Sequence, residues 1–421
     1  MTTVDQAGKI ILKSISPLKR FEFANLSSCL YRISAVDIMS YQNIPPFDNS
    51  AMDGFAIRAK DVKGAAWQRP VILKVIEDVP AGYVAKSRVG RNQAIRIMTG
   101  APLPKGADSV VIVEETGKGS RVKGSAFAKA SADRQGTREE EFVQIFKAVK
   151  TGENVRYAGE DVRKGEIVIR MGSLLKPGHI GMLASLGIRK IKVFRKPKVA
   201  ILATGDELTK IEERLKPGKI RNSNSYSLAA QVLEAGGLPI ILGIAKDKRN
   251  ELKVKIKKGL KADMLLVCGG ISVGKYDFVK DVLRELGAKF KFWKVAMRPG
   301  KPLAFGMIGK VPVFGLPGNP VSGMVSFEVF VRPAISKMLG RTDDKECEVE
   351  AVLQEDIEKK KGLRYFLRAT SGCEDGKYVT RITGPQGSNI LKSMVLANSL
   401  IILPEDAERV RKGESVKIRF L

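Results

Sequence analysis

The chain has 421 residues, 44% hydrophobic and 28% charged, the composition of a folded protein with two to four domains. Lys and Arg outnumber Asp and Glu by 73 to 45, a formal net charge of +28, which attracts anions of many kinds. With no zinc-finger spacing and no RNA-binding aromatic signature, nucleic acid is not expected as a partner. Four scattered cysteines without a CxxC pair imply neither a zinc site nor a disulfide framework, and no stretch approaches the roughly 20 apolar residues of a membrane span.

The N-terminus carries only the short apolar run Ile10 to Leu12 between lysines, so a cytoplasmic location without membrane insertion is expected. "PPFDNSAMDGFAIR" follows, setting Asp48 and Asp53 five residues apart in a turn-rich segment. Residues 65 to 115 are short β-like runs split by Gly and Pro, and residues 345 to 421 repeat that texture, so each is expected to be a small β-rich domain. The stretch from about 117 to 141 is rich in Ala, Ser, Gly and charge without an apolar period, and is expected to be a surface excursion. Met171 to Ile188 predicts a short helix. The boundaries implied are a linking region over 1–55 and 148–195, a small β-rich domain over 56–147, an α/β domain over 196–340 and a β-barrel-like domain over 341–421.

From Pro197 to Leu339 strand-like and helix-like segments alternate. "KVAILATGDEL" reads as a buried strand, and "NSNSYSLAAQVLEAGG" as a capped helix with its apolar face at Tyr226, Ala229, Ala230 and Leu233 and a Gly236-Gly237 stop. "PIILGIAKD", "DMLLVCGGISVG" and "KFKFWKVAMRPGKP" supply further strands, separated by helices, before "VPVFGLPGNPVSGMVSFEVFV". Such alternation builds a parallel sheet covered by helices on both faces, an α/β sandwich core. The loops leaving the carboxyl ends of parallel strands gather along one edge, where ligands bind. The polar residues sit there: Asp206 and Glu207, Asp247, Ser272 and Asp277, then Lys294, Arg298 and Lys301, then Pro317 to Pro320.

Each motif has two readings. "GGISVGKY" fits G-x-x-x-x-G-K, but Tyr276 replaces the Ser or Thr of a P-loop, leaving either an anion-binding Gly-rich turn or a tight structural turn. Asp206, Glu207, Asp247 and Asp277 suit magnesium beside a phosphorylated ligand, or else cap helices. Lys294, Arg298 and Lys301 beside a Pro-Gly turn suit an oxyanion. The lone His179 excludes a triad with a second histidine, so acid-base work falls to carboxylates, lysines or metal-bound water.

"PPFDNSAMDGFAIR", "IRIMTGAPLPKGADSVVIVEET", "GENVRYAGEDVRKGE", "LASLGI", "LATGDEL", "CGGISVGKYDFV", "FWKVAMRPGKPLAFG" and "FGLPGNPVS" together resemble the molybdopterin molybdenumtransferases that complete molybdenum cofactor synthesis, a family related to the C-terminal domain of gephyrin. The resemblance implies that adenylylated molybdopterin and molybdate are the substrates, with AMP released and Mg2+ assisting. It implies a homodimer in which the small β domain of one subunit faces the sheet domain of the other, with a molybdopterin adenylyltransferase as a possible supplier of the pterin. Catalytic roles then fall to Asp53, Thr99 and Asp161 on the non-sheet side, and to Glu207, Asp247, Asp277, Lys294 and Arg298 on the sheet side. Glu207, Asp247 and Asp277 are the implied metal ligands. Substrate contacts fall to Gly205, Gly269, Gly270, Ser272, Gly274, Lys301, Pro317, Gly318, Asn319, Pro320, Ser322 and, in the last domain, Arg364. A P-loop-like nucleotide hydrolase or a non-catalytic anion- or pterin-binding scaffold are the alternatives.

Overall fold

A computed structural model describes residues 1–119, 141–270, 278–342 and 348–421. They form two compact units: residues 1–36, 170–180 and 189–421, and residues 37–169 and 181–188.

The first unit is built on strands β1 (Lys198–Thr204), β2 (Leu238–Ala245), β3 (Met264–Cys268), β4 (Lys289–Phe292), β5 (Ala304–Ile308) and β6 (Val311–Leu316). Their order is β2-β1-β3-β6-β5-β4; the first four run parallel, and β5 and β4 add antiparallel strands at one edge. Side chains alternate across the sheet. Val199, Ile201, Met264, Leu266, Phe314 and Leu316 enter one core, whereas Ala200, Leu202, Leu265, Val267 and Val313 enter the other. The second core is closed by helices α2 (Arg249–Gly259) and α3 (Phe278–Glu285), and the first by α1 (Asn224–Glu234) and the helical run from Pro320. The apolar run Val199–Ala203 of β1 and the whole of β3 are what two covered faces require.

Three features differ from the expectation. The stretch "KFKFWKVAMRPGKP" is not one parallel strand: β4 ends at Phe292, and Met297–Arg298 pairs instead with Arg364–Tyr365 of the barrel. Only Gly309 and Lys310 separate β5 from β6, and a two-residue link permits a hairpin but no parallel crossover. In α1 the buried side is Ser225, Leu228, Ala229 and Val232 with Gln231, while Tyr226 and Leu233 are 45% and 57% exposed. Both sets have helical spacing, so the period was legible and its phase was not.

The C-terminal part forms a barrel from β7 (Glu348–Leu353), β8 (Arg364–Glu374), β9 (Lys377–Ile382), β10 (Ser399–Leu403) and β11 (Ser415–Phe420). It runs β8-β9-β7-β11-β10 and closes through β8 and β10. Leu353, Leu367, Ala369, Ile401, Leu403 and Ile418 fill it. A helix over Val4–Ser14 begins in a capping box, Thr3 with Gln6, and buries Val4, Ala7 and Ile11; "TVDQ" was its sequence signal.

The second unit carries a six-stranded sheet, with Gly54–Ile57 between Ser109–Ile112 and Gln93–Ile97, followed outward by Val71–Val79, Glu141–Ile145 and Thr116–Gly119. Apolar residues pack on both of its faces. Most of the 117–141 excursion lies outside the described residues.

Replacing the fully buried Leu228 by Ala should cost about 2–5 kcal/mol of unfolding free energy. Leu233→Ala, on the side that the sequence pattern would turn inward, should cost less than about 0.5 kcal/mol. Denaturant midpoints at constant m-value check both.

Candidate active site

The cleft begins where the parallel strands stop. After β1 the backbone turns at Gly205 (φ +145°), and a Cβ there would lie 2.4 Å from a Glu207 carboxylate oxygen. After β3 it turns at Gly269 and Gly270 (φ +92° and +63°), where added Cβ atoms would strike the Thr204 carbonyl oxygen and Val279, each at 2.5 Å. Only glycine allows strand ends to approach this closely. After β6 the "PGNP" turn is held by Asn224, whose Nδ2 donates to the Gly318 carbonyl (2.7 Å) and to Cys268 Sγ (3.1 Å), while the Cys268 thiol donates to the Pro317 carbonyl (3.2 Å). Burial pushes that thiol up to about 12, so Cys268 is a neutral strut rather than a nucleophile.

These turns line a cleft of about 930 Å³. One wall is acidic. Asp247, half-buried, has its carboxyl raised above the usual range by burial first and then by the charges of Asp206 and Glu207. The Asp247 N–H donates to Asp206 Oδ1 (3.3 Å). The facing residues are Arg298 and Lys301, with Gln386, Ser388 and Asn389 added from the barrel side. Thr204 Oγ1, also at the cleft, is buried and has no hydrogen-bond partner among the described residues.

A second cavity of about 520 Å³ shares Arg298, Pro299 and Gln386 with the first and adds Lys359, Lys360, Tyr365 and Arg368, together with Asp356 and Glu358, whose carboxylates pair with Arg409. Arg298 donates to the Tyr365 hydroxyl (3.3 Å) and lies over its ring, 5.4 Å from the centroid. Arg368 is fully buried. Its Nε donates to Ser393 Oγ and its Nη2 to the Gly387 carbonyl, each at 3.0 Å, and its Nη1 has no partner among the described residues. Burial, and then the charge of Arg298, push it down to about 10, still protonated at neutral pH.

In the second unit Asp53 ends a loop tied down at several points. The Ser50 hydroxyl donates to the Met52 carbonyl, the Val113 N–H donates to the Asp53 carbonyl, and Gly54 passes so close to Val111 that a Cβ would fall 1.9 Å from its carbonyl oxygen. The exposed Asp53 carboxylate accepts the Thr99 N–H (2.7 Å) and hydroxyl (2.8 Å) through Oδ1, which holds its carboxyl below the usual range. Asp48 accepts the Ala158 N–H (2.8 Å) and fixes the turn. Asp161 is exposed in the same unit.

Of the residues picked out from sequence, Gly205, Glu207, Asp247, Gly269, Gly270, Arg298, Lys301, Pro317, Gly318, Asn319, Pro320 and Ser322 line the one cleft. Asp277, Ser272 and Gly274 lie outside the described residues, and so does most of the P-loop-like turn. Among the described residues lining the cleft, Lys294 and Arg364 do not appear. Arg364 grips Asp5 with both terminal nitrogens (2.6 and 2.9 Å) and Glu405 through Nε (3.3 Å), so its donors serve the fold. Sequence reasoning missed Arg368, four residues on, and the structural amide of Asn224. No group of three or more His, Cys, Asp or Glu able to hold a metal forms among the described residues. No helix among them is long and apolar enough to cross a membrane.

A mixed sheet with carboxylates and cations lining a cleft at its parallel strand ends, in the same unit as a closed barrel, defines an α/β protein with a charged strand-end cleft. Family comparison resolves the class further. Residues 2–187 match the MoeA N-terminal region (domain I and II), residues 200–337 the "Probable molybdopterin binding domain", and residues 350–421 the MoeA C-terminal region (domain IV). The chain is 37% identical to the molybdopterin molybdenumtransferase of Bacillus subtilis, over 95% of this chain and 90% of that protein. It is 35% identical to that of Haemophilus influenzae, over 99% and 98%. The crystal structure of the molybdopterin biosynthesis moeA protein from Pyrococcus horikoshii OT3 superposes with a TM-score of 0.84 at 34% identity, covering all of both chains. The chain belongs to the molybdopterin molybdenumtransferase family.

Removing the Thr99 hydroxyl with Thr99→Val should raise the Asp53 pKa, since one of its two donors is lost while the backbone N–H remains. Asp206→Asn should lower that of Asp247 by removing a neighbouring negative charge. Carboxyl-carbon NMR titrations read each shift.

Proposed function

We propose that this chain inserts molybdenum from molybdate into adenylylated molybdopterin, forming molybdenum cofactor and releasing AMP. The observation that carries the reading is the pairing of two adjoining cavities through Arg298: a large cleft with carboxylates on one wall, and a smaller one containing a buried arginine with an N–H unmatched among the described residues.

The large cleft suits the pterin adenylate. Its glycine turns bring backbone close to the ligand, and Lys301, Asn319, Ser322 and Ser388 offer donors to phosphate and pterin oxygens. The smaller cavity suits molybdate, a tetrahedral dianion, because the Arg368 guanidinium is rigidly held and Arg298 adds a second positive charge. Glu207 and Asp247 are hard oxygen donors whose mutual repulsion a divalent cation relieves, which fits Mg2+ held by one or two carboxylates plus substrate phosphate. When bound, Mg2+ neutralises charge on the phosphate oxygens of the bond that breaks. Asp53, kept ionised by Thr99, is a base whose Oδ2 is available to a substrate proton.

The family resemblance adds a homodimer in which the Asp53 and Thr99 of one copy serve the sheet cleft of the other. A division into four domains, the sites of Asp161, Asp277, Ser272, Gly274 and Lys294, and a cytoplasmic location belong to the same reading.

The test is AMP release from adenylylated molybdopterin with molybdate and Mg2+. Asp53→Asn and Asp247→Asn should each abolish it, and co-refolded mixtures of the two should recover about one quarter of normal activity, as expected for clefts shared across a two-fold. Binding of the pterin without AMP release by the unaltered chain would favour a scaffold, and ATP hydrolysis without pterin would favour a nucleotide hydrolase. Arg368→Lys, which keeps the charge but loses the planar fork, should raise the molybdate KM about tenfold or more at saturating pterin.

A further inference from the structure

A third cavity, of about 370 Å³, lies at the opposite ends of the same strands. Lys198 opens β1, Leu238 opens β2 and Asp263 immediately precedes β3, whereas the cleft described above begins at Gly205, Asp247 and Gly269. At about 3.3 Å per residue, the length of β1 separates the two by roughly 20 Å. This cavity is therefore distinct from the proposed catalytic cleft.

Its charge is lopsided. Arg20, Arg32, Arg195, Lys196, Lys198 and Lys261 line it, against Glu22 and Asp263 as the carboxylates among the described residues. Both carboxylates are engaged. Asp263 accepts Arg20 Nη1 (2.8 Å) and the Lys198 backbone N–H (2.9 Å). Glu22 lies between Arg32 and Arg195, and Arg32, with its side chain 11% exposed, is anchored a second time on the Phe194 carbonyl (2.8 Å). The ammonium groups of Lys196, Lys198 and Lys261 have no carboxylate partner among the described residues. With its arginines paired to carboxylates and its three lysines not, the cavity presents a surplus of positive charge to an entering anion.

We propose that this pocket binds a compact polyphosphate, either free or as the triphosphate of a nucleotide. The excess of positive charge exceeds what one oxyanion such as molybdate neutralises. A volume near the low end of the roughly 300–1,000 Å³ typical of small-ligand sites fits a short phosphate chain, not a nucleic-acid duplex.

Isothermal titration of the full chain with sodium tripolyphosphate and, separately, ATP, in about 150 mM salt to screen diffuse attraction, tests the site. Saturable binding should weaken at least about tenfold in the combined Lys196→Gln, Lys198→Gln, Lys261→Gln variant. It should persist in Lys301→Gln, which alters the other cleft. AMP release and melting temperature should be unchanged in the triple variant, separating this site from the proposed catalytic one. Equal affinity for the two ligands assigns the phosphate chain alone, and tighter ATP binding assigns the nucleotide. Absence of saturable binding, or equal binding by the triple variant, would overturn the proposal.

Discussion

The cleft depends on one steric constraint: strand ends meet only where the backbone carries no side chain. Gly205, Gly269 and Gly270 all have positive φ, and each would place a Cβ on Glu207, Thr204 or Val279. At Gly269 the obstacle is the Thr204 backbone itself, so any other residue there would push the ends of β1 and β3 apart. The consequences follow outward from that contact. Glu207 folds back over the first turn, and Asp247 comes close enough to feel its charge. The "PGNP" turn is then locked across the rim by Asn224 and Cys268.

Like charges gathered on one wall are costly to hold without a ligand. Two like charges about 4 Å apart repel by roughly 4 kcal/mol at an effective dielectric of 20, and the raised pKa of Asp247 expresses that repulsion together with its burial. Arg298 and Arg368 repeat the situation with the opposite sign. An arrangement with acidic and basic groups both under strain, joined by one shared guanidinium, is complementary to a ligand set that brings cations and anions together. The family membership of the chain accords with that chemistry.

Much of this rim was legible in the sequence, because polar turns after apolar runs mark strand ends and parallel strands must put those ends on one edge. "TGDE", "CGG" and "PGNP" were found on that basis. The antiparallel edge was missed although its signal was present, the two residues Gly309 and Lys310 being too few for a crossover. Arg364 and Arg368 could not be ranked by pattern. They sit on one strand, four residues apart, and what separates them is remote: Asp5 claims the first, whereas burial and Gly387 shape the second. The phase of α1 was equally hidden, since a helix rich in Ala, Leu and Val offers more than one apolar side.

The central claim is that the oxyanion occupies the cavity joined to the large cleft through Arg298. Anomalous diffraction at the molybdenum edge, from crystals of the chain soaked with molybdate, measures this most directly. The account predicts an anomalous peak in that cavity, placed so that the oxygens around the molybdenum are within hydrogen-bonding distance of Arg368 Nη1 and the Arg298 guanidinium. A peak confined to another part of the chain, with both arginines unliganded, would contradict it.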